Sequence, residues 1–193
     1  LYYMETNLDT DKYEIKDSYP MALKRLYNME AKMNKDEDIA EWYTSKIDCY
    51  VAKSYARKLS PQEASVKNSR TWYLPHFVVT NMNKENKRRL VFDAAACVEG
   101  ESFNSRLMKG PSKYQPKSLL SILFRFRQRK IGVCADIREM FHRVRIREED
   151  QTAQRFLWRN GQCDRPPDEY VMQVMIFGSV SSPCSAQFVK NLN

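Results

Sequence analysis

Two carboxylates three residues apart, Asp136 and Glu139, close an apolar run in VCADIREMFHRVRIR (residues 133–147), and Arg138, Arg143, Arg145 and Arg147 follow in the same stretch. A carboxylate at the end of an apolar strand is a hard oxygen donor. Magnesium takes one or two such groups from a protein and completes its shell with water and substrate phosphates. Phosphoryl transfer by two ions needs carboxylates that hold the pair about 3.5–4 Å apart. Asp136 is the metal candidate. Glu139, at a spacing of three, falls on the opposite face of an extended chain, and returns to the same side only if the chain turns after Ile137. The neighbouring cations would balance a triphosphate and stabilise departing pyrophosphate. The plain alternative for Asp136 is a cap or a salt bridge to one of the arginines.

Other chemistries find less footing. The chain has two histidines, His76 and His142, far apart in sequence, so a zinc site is not expected. No GxxxxGK[ST] or GxSxG pattern occurs, which removes support for Walker-type nucleotide binding and for a serine hydrolase. The five cysteines are widely spaced and form no CxxC pair. That argues against a disulfide framework and for a reducing, intracellular compartment. Cys97, Cys134 and Cys184 are expected as core thiols.

These residues need a scaffold. A chain of 193 residues with 42% hydrophobic content can build a core. No stretch nears the roughly 18 apolar residues of a spanning helix, so no membrane partner is expected. The first residues lack the basic head and apolar middle of a signal peptide. A start on Leu1 and an end at VKNLN suggest a piece of something longer. The net charge of +8 is uneven: residues 1–69 sum to −1, residues 70–147 to +11 and residues 148–193 to −2. A basic block of that kind suits a polyanion through counterion release.

Along the chain, Ser18 and Pro20 predict a helix start, with Met21, Leu23, Leu26, Met29 and Met33 on one face. Asp36 predicts a second start, with Ile39, Trp42, Tyr43, Ile47, Tyr50, Val51 and Tyr55 as its stripe and Ser60-Pro61 as a stop. TWYLPHFVVT and RRLVFDA predict a β-hairpin with a basic tip. SLLSILFRFRQR predicts a helix, KIGVCADI a buried strand, EEDQTAQRF a short helix, FLWRNG and EYVMQVMIF strands, and FGSVSSPCSAQFVKNL a turn into a last helix. The order is helices, then a hairpin, then a mixed unit: α+β.

Taken together, WYLPHFVVTNMNKENKRRLVFDAAA, SFNSRLMKGP, LLSILFRFRQRKIGVCADIREMFHRVRIREEDQTAQRFLW and VMIFGSVSSPCSAQF resemble the reverse transcriptase of BEL/Pao-type LTR retrotransposons. The resemblance runs from about Trp72 to Gln187. Each segment alone is weak, and the ordered set is specific. It implies an N-terminal helical linker region over 1–69, a fingers-like region over 70–130 and a truncated palm over 131–193. It also implies RNA- or DNA-templated DNA synthesis from deoxynucleotide triphosphates with two magnesium ions, as part of a retroelement polyprotein.

The resemblance carries over to particular residues. ADIREMF is similar to the family's first palm motif, so Asp136 would bind metal, assisted by the carbonyl of Ile137, with Met140 and Glu139 lining the turn. Phe141 stands where a bulky ring screens out a ribose 2′-hydroxyl, by clash. Arg89, four residues before Asp93, would grip the triphosphate. Lys84 and Lys87 are weaker phosphate contacts at the hairpin tip. Phe177 and Gly178 lead the motif that packs beside nucleotide and template; many retroviral relatives have Gln in place of Phe177. One departure matters. The family's second metal motif has adjacent aspartates, and these 193 residues contain no adjacent Asp pair. One of three expected metal carboxylates is present, so no polymerase activity is expected of this chain alone. The alternative is a nucleic-acid-binding remnant without chemistry.

Overall fold

The computed structural model describes the backbone of residues 3–4 and residues 16–81, 87–108 and 119–192. Two helices lead, α1 (Tyr19–Met33) and α2 (Glu37–Ala52). Asp36 caps α2 by accepting from the Ile39 N–H at 3.0 Å, satisfying one of the donors that a helix start leaves open. Ser18 precedes α1 but makes no cap bond. Its Oγ accepts instead from the Tyr73 N–H at 2.8 Å, tying the helix start to a segment 55 residues on. Ser60-Pro61 does not end α2. The chain first forms β2 (Ala56–Lys58), which the sequence reading missed, and Ser60 then opens α3 (Pro61–Ser65) through a capping box with Glu63.

The predicted hairpin is present as β3 (His76–Asn81) and β4 (Lys87–Phe92), antiparallel, with Val78 opposite Leu90 and Val79 opposite Arg89. Two short strands follow, β5 (Cys97–Val98) and β6 (Glu101–Ser102), and then α4 (Leu119–Phe126). β7 (Arg145–Ile146) pairs in parallel with β1 (Tyr3–Met4). After α5 (Glu148–Gln151), β8 (Arg155–Trp158) and β9 (Asp168–Met172) are strands of a three-stranded antiparallel sheet in the order β2-β9-β8. α6 (Ser182–Leu192) closes the described chain. The architecture is α+β, with small sheets that are antiparallel apart from the β1–β7 pair.

One hydrophobic core takes side chains from the helical pair, the hairpin and the three-stranded sheet. It therefore runs across the boundary expected at residue 69, and β2 from the N-terminal side completes a sheet whose other strands come from the C-terminal side. Aromatic rings fill its centre. Tyr43 of α2 lies 5.4 Å from Trp158 of β8, and Phe92 of β4 lies 5.2 Å edge-on from Phe156. Each such ring contributes about 1.5–3 kcal/mol by leaving water. His76 sits among them. Its Nδ1 accepts from the Tyr43 hydroxyl and its Nε2 donates to the Leu157 carbonyl at 2.7 Å. Burial lowers its pKa to about 4, so this imidazole is a neutral structural group.

Two buried guanidinium groups stitch elements together. Arg159 makes a two-pronged bond to Glu30 of α1, at 2.7 and 2.6 Å, and also donates to the Cys163 and Arg165 carbonyls. Arg155 donates to the Glu169 carboxylate, to the Tyr73 and Thr152 hydroxyls and to the carbonyls of Glu63, Ala64 and Val66. Buried charge is tolerated because nearly every N–H has an acceptor.

Two expectations fail. KIGVCADI is not a buried strand: residues 131–137 form no secondary structure and are exposed, with Ile131 at 82% and Val133 at 83%. An apolar, β-branched run signals that a segment gains from burial, and no described layer covers this one. The cysteines are not core thiols either. Cys97 and Cys134 are exposed and Cys184 is intermediate, because Cys97 lies on a short peripheral strand, Cys134 in the uncovered run, and Cys184 at the start of α6.

Candidate functional site

The segments that carry the resemblance meet around the end of β4. Gly178 has φ +103°, a backbone region that glycine occupies without strain. A Cβ there would stand 2.9 Å from the Phe92 carbonyl oxygen, so only glycine lets this turn lie against β4. Asn104 clamps the same turn from both sides. Its Nδ2 donates to the Gly178 carbonyl at 2.9 Å, and its Oδ1 accepts from the Val180 N–H at 2.8 Å. Asn104 in turn donates its own N–H to the Ala94 carbonyl. Three stretches distant in sequence are thereby locked together.

The fourth stretch joins through rings. Phe141 lies in a 3₁₀ turn, Met140–Arg143, and meets Phe177 edge to face with centroids 4.4 Å apart. Such pairs contribute about 0.5–1.5 kcal/mol beyond burial. Phe177 remains 55% exposed, so the pair presents an aromatic surface outward. Met140 packs with Phe141 against Val144, Ile146, Met175 and Ala186 in a second, smaller core. The backbone beneath is pinned by the Met175 N–H donating to the Val144 carbonyl and the Ile146 N–H donating to the Gln173 carbonyl.

Glu139 does turn back, as the spacing allowed, but toward α2 rather than toward Asp136. Its backbone is left-handed, at φ 54° and ψ 40°. Its carboxylate accepts from Lys53 Nζ at 3.0 and 3.1 Å and from the Tyr55 hydroxyl at 2.9 Å. The Lys53 bond is the chief reason its pKa falls to about 2. Burial, with the Glu139 bond second, raises that of Tyr55. His142, in the same turn, is buried between Tyr50 and Tyr55, with centroids 5.0 and 4.9 Å away. Desolvation lowers its pKa to about 4, and its Nδ1 has no hydrogen-bond partner.

Asp136 is exposed, at the end of the uncovered run, and Ile137 beside it is 47% exposed. Arg89 projects from β4 on the face opposite to buried Leu90 and Phe92, exposed to solvent. Arg89 and Asp136 make no ion pair with each other. Asp93 pairs with Arg25 of α1 at 2.9 Å and caps the Ala95 N–H. Lys87 is exposed at the start of β4, and Lys84 lies outside the described residues. The structure thus brings together Phe141, Phe177, Gly178 and Met140. It joins neither Asp136 nor Arg89 to them by a bond.

Asn104, Lys53, Tyr55 and Arg25 escaped the sequence reading as site residues. Asn104 stood inside SFNSR, yet nothing local marked its amide as a clamp on a turn 74 residues later. Tyr55 was read as part of an apolar stripe; its ring is buried, and its hydroxyl reaches Glu139.

A two-ion magnesium site needs several carboxylates converging on a small volume. Among the described residues no group of three or more His, Cys, Asp or Glu side chains could hold a metal ion. Asp136 offers one exposed carboxylate, and Glu139 is committed to Lys53 and Tyr55. These residues do not fit a two-ion centre by themselves. No helix among the described residues is long and apolar enough to cross a membrane. No protein-family model matches the chain, and no curated protein matches it.

Proposed function

We propose that the chain is the fingers and part of the palm of a BEL/Pao-type retrotransposon reverse transcriptase, an RNA-directed DNA polymerase. One observation carries the reading. The separately quoted segments RRLVFDA, SFNSR, ADIREMF and FGSVSSP, up to 74 residues apart along a bond, converge on Phe92, Asn104, Phe141 and Gly178. Convergence is what a nucleotide site built from those segments requires, and chance matches to short patterns have no reason to meet. In this reading the Phe141–Phe177 pair forms an aromatic wall beside the incoming deoxynucleotide, with Met140 behind it. Rigid rings discriminate against one extra oxygen by clash. Arg89 and Lys87, bare on the hairpin, take phosphate, and Asp136 supplies one carboxylate toward magnesium ions whose other protein ligands lie elsewhere. Template-primer and deoxynucleotide triphosphates are the partners.

A second reading rests on the lone position of Asp136: a nucleic-acid-binding module without chemistry. Primer extension on an RNA template separates the two. The chain by itself should bind template-primer and extend nothing. A longer product that adds a paired-aspartate hairpin should extend with magnesium, lose extension in Asp136→Asn, and incorporate ribonucleotides more readily in Phe141→Ala. Extension that survives Asp136→Asn overturns the metal assignment. Unchanged ribonucleotide discrimination in Phe141→Ala overturns the wall.

A further inference from the structure

Among the described residues, four positions other than glycine have a positive φ, and two of them flank one contact. Glu139 is the first, at φ 54° and ψ 40°. Ser54, at φ 55°, stands between the two residues that bond Glu139, namely Lys53 and Tyr55. Left-handed backbone crowds a Cβ, and it persists only where the surroundings hold it. A turn that needed nothing but a change of chain direction would be served by glycine. Glutamate adds a carboxylate, and here that carboxylate takes Lys53 Nζ at 3.0 and 3.1 Å and the Tyr55 hydroxyl at 2.9 Å. These bonds span 86 and 84 residues, so the anchor lies outside the turn it holds.

That anchor is itself fixed. Tyr55 donates its N–H to the Tyr50 carbonyl at 2.8 Å, and its own carbonyl accepts from the Gln173 N–H at 2.7 Å. Its ring is buried, 4.9 Å from the His142 ring. The Lys53 N–H closes the end of α2 on the Cys49 carbonyl. What the anchor holds is the 3₁₀ turn Met140–Arg143, which follows Glu139 directly. Phe141 is two residues on and meets Phe177 at 4.4 Å. Phe177 is set separately, by the grip of Asn104 on the Gly178 turn. A ring contact this close needs both rings placed. Relaxing Glu139 from left-handed to right-handed backbone swings its φ by about 120°, and that carries Phe141 away from its partner.

We propose that Lys53 and Tyr55 are positioning residues: by clamping Glu139 they seat Phe141 against Phe177 and so set the sugar selectivity of the nucleotide site. They act through Glu139 and touch no substrate. The seat is a property of this chain alone, whereas the selectivity rests on the polymerase reading. The end of the N-terminal helical region thereby becomes part of the site.

Nuclear magnetic resonance of this chain tests the seat. At positive φ the amide and α protons of one residue lie close together, so Glu139 should give a strong intraresidue cross-peak. Lys53→Met should weaken that peak and shift the ring signals of both Phe141 and Phe177. Tyr55→Phe keeps the buried ring and loses only the hydroxyl bond, so it should act in the same direction and less. Lys53→Arg should preserve the wild-type signals, since a guanidinium still meets the carboxylate. Circular dichroism checks that each variant is folded. Primer extension by the longer product with the paired-aspartate hairpin tests selectivity. Lys53→Met should raise kcat/KM for ribonucleotides relative to deoxynucleotides by roughly tenfold, and Lys53→Arg should not. A role in stability alone would leave that ratio where it was. A weak Glu139 cross-peak in the wild-type chain, or one unchanged in Lys53→Met, overturns the clamp. Displaced rings with an unchanged ratio overturn the positioning role. A wild-type longer product that extends nothing overturns the polymerase reading and the selectivity with it, and the resonance result still decides the clamp.

Discussion

His76 and His142 are both buried and both held neutral, with pKa values near 4, and they are the two histidines of the chain. Their surroundings differ. His76 has both ring nitrogens bonded, whereas His142 leaves Nδ1 unpartnered between tyrosine rings. In the unfolded chain each titrates near 6.5. As pH falls below that value the unfolded state takes up protons that the fold refuses, so stability declines from about pH 6.5 and the decline levels off near pH 4. Each histidine accounts for up to about 3 kcal/mol across that window. Glu139 acts in a separate window. Its depressed pKa adds stability that is fully present above about 4.5 and fades as pH falls toward 2. Urea unfolding between pH 7 and 4 should therefore report the histidines. His142→Phe should roughly halve the acid slope and, by removing an unsatisfied nitrogen, leave the protein at neutral pH as stable or more so by about 1 kcal/mol. An unchanged slope in that variant would mean that His142 is protonated within the fold.

At the scale of elements, the contact between α1 and the β8–β9 connection depends on charge as well as on apolar packing. Glu30 and Arg159 are both nearly inaccessible, at 5% and 6% of their side-chain surface, and bond through two prongs. Removing one partner leaves a buried charge without its counter-ion, and that costs about 3–5 kcal/mol, whereas replacing both by apolar residues of similar size often costs little. Glu30→Leu alone should thus lower the urea midpoint far more than Glu30→Leu combined with Arg159→Met. Equal losses in the single and double variants would show that the pair contributes nothing beyond its volume. This pair was invisible in the sequence, since its two partners stand 129 residues apart. The helix starts were partly legible. Asp36 acts as the cap that its position predicted, because that bond spans three residues. Ser18 does not, because a distant backbone N–H competes for its oxygen. The hairpin, the β8 and β9 strands and α6 were readable from local patterns. β2 was not, being three residues of mixed character that become a strand only because β9 offers an edge. KIGVCADI erred in the other direction: its composition records a gain from burial, and composition alone cannot say that the covering layer lies within the same chain. At the site, motif order brought Phe141, Phe177 and Gly178 into view, while Asn104, which clamps the turn, needed three dimensions.

For the whole molecule, the net +8 matters through where its cations stand. Some are spent internally: Arg155 and Arg159 are buried in networks, Arg106 is buried against Glu101, and Arg70 pairs with buried Asp150. Arg89, Arg125, Arg127, Arg129, Lys130 and Arg138, all from the basic block, are exposed. Cations already neutralised within the fold release few counterions, so binding to a polyanion should draw on the exposed set. If about five of these contact phosphates, log Kobs should fall against log salt with a slope of about −3.5 to −4.5, roughly a hundredfold loss or more between 50 and 200 mM. Arg125→Ala or Arg127→Ala should each reduce the slope by about one and weaken binding alike for every sequence, since phosphate contacts carry no sequence information. Arg106→Ala should leave the slope unchanged while lowering stability, because its charge is already matched by Glu101. Fluorescence anisotropy of a labelled template-primer under rising salt measures all three. A slope near zero would mean that the basic block is a solvated surface with no polyanion partner. A slope lowered by Arg106→Ala but not by Arg125→Ala would mean that the internal pairs, rather than the exposed cations, open to meet the ligand.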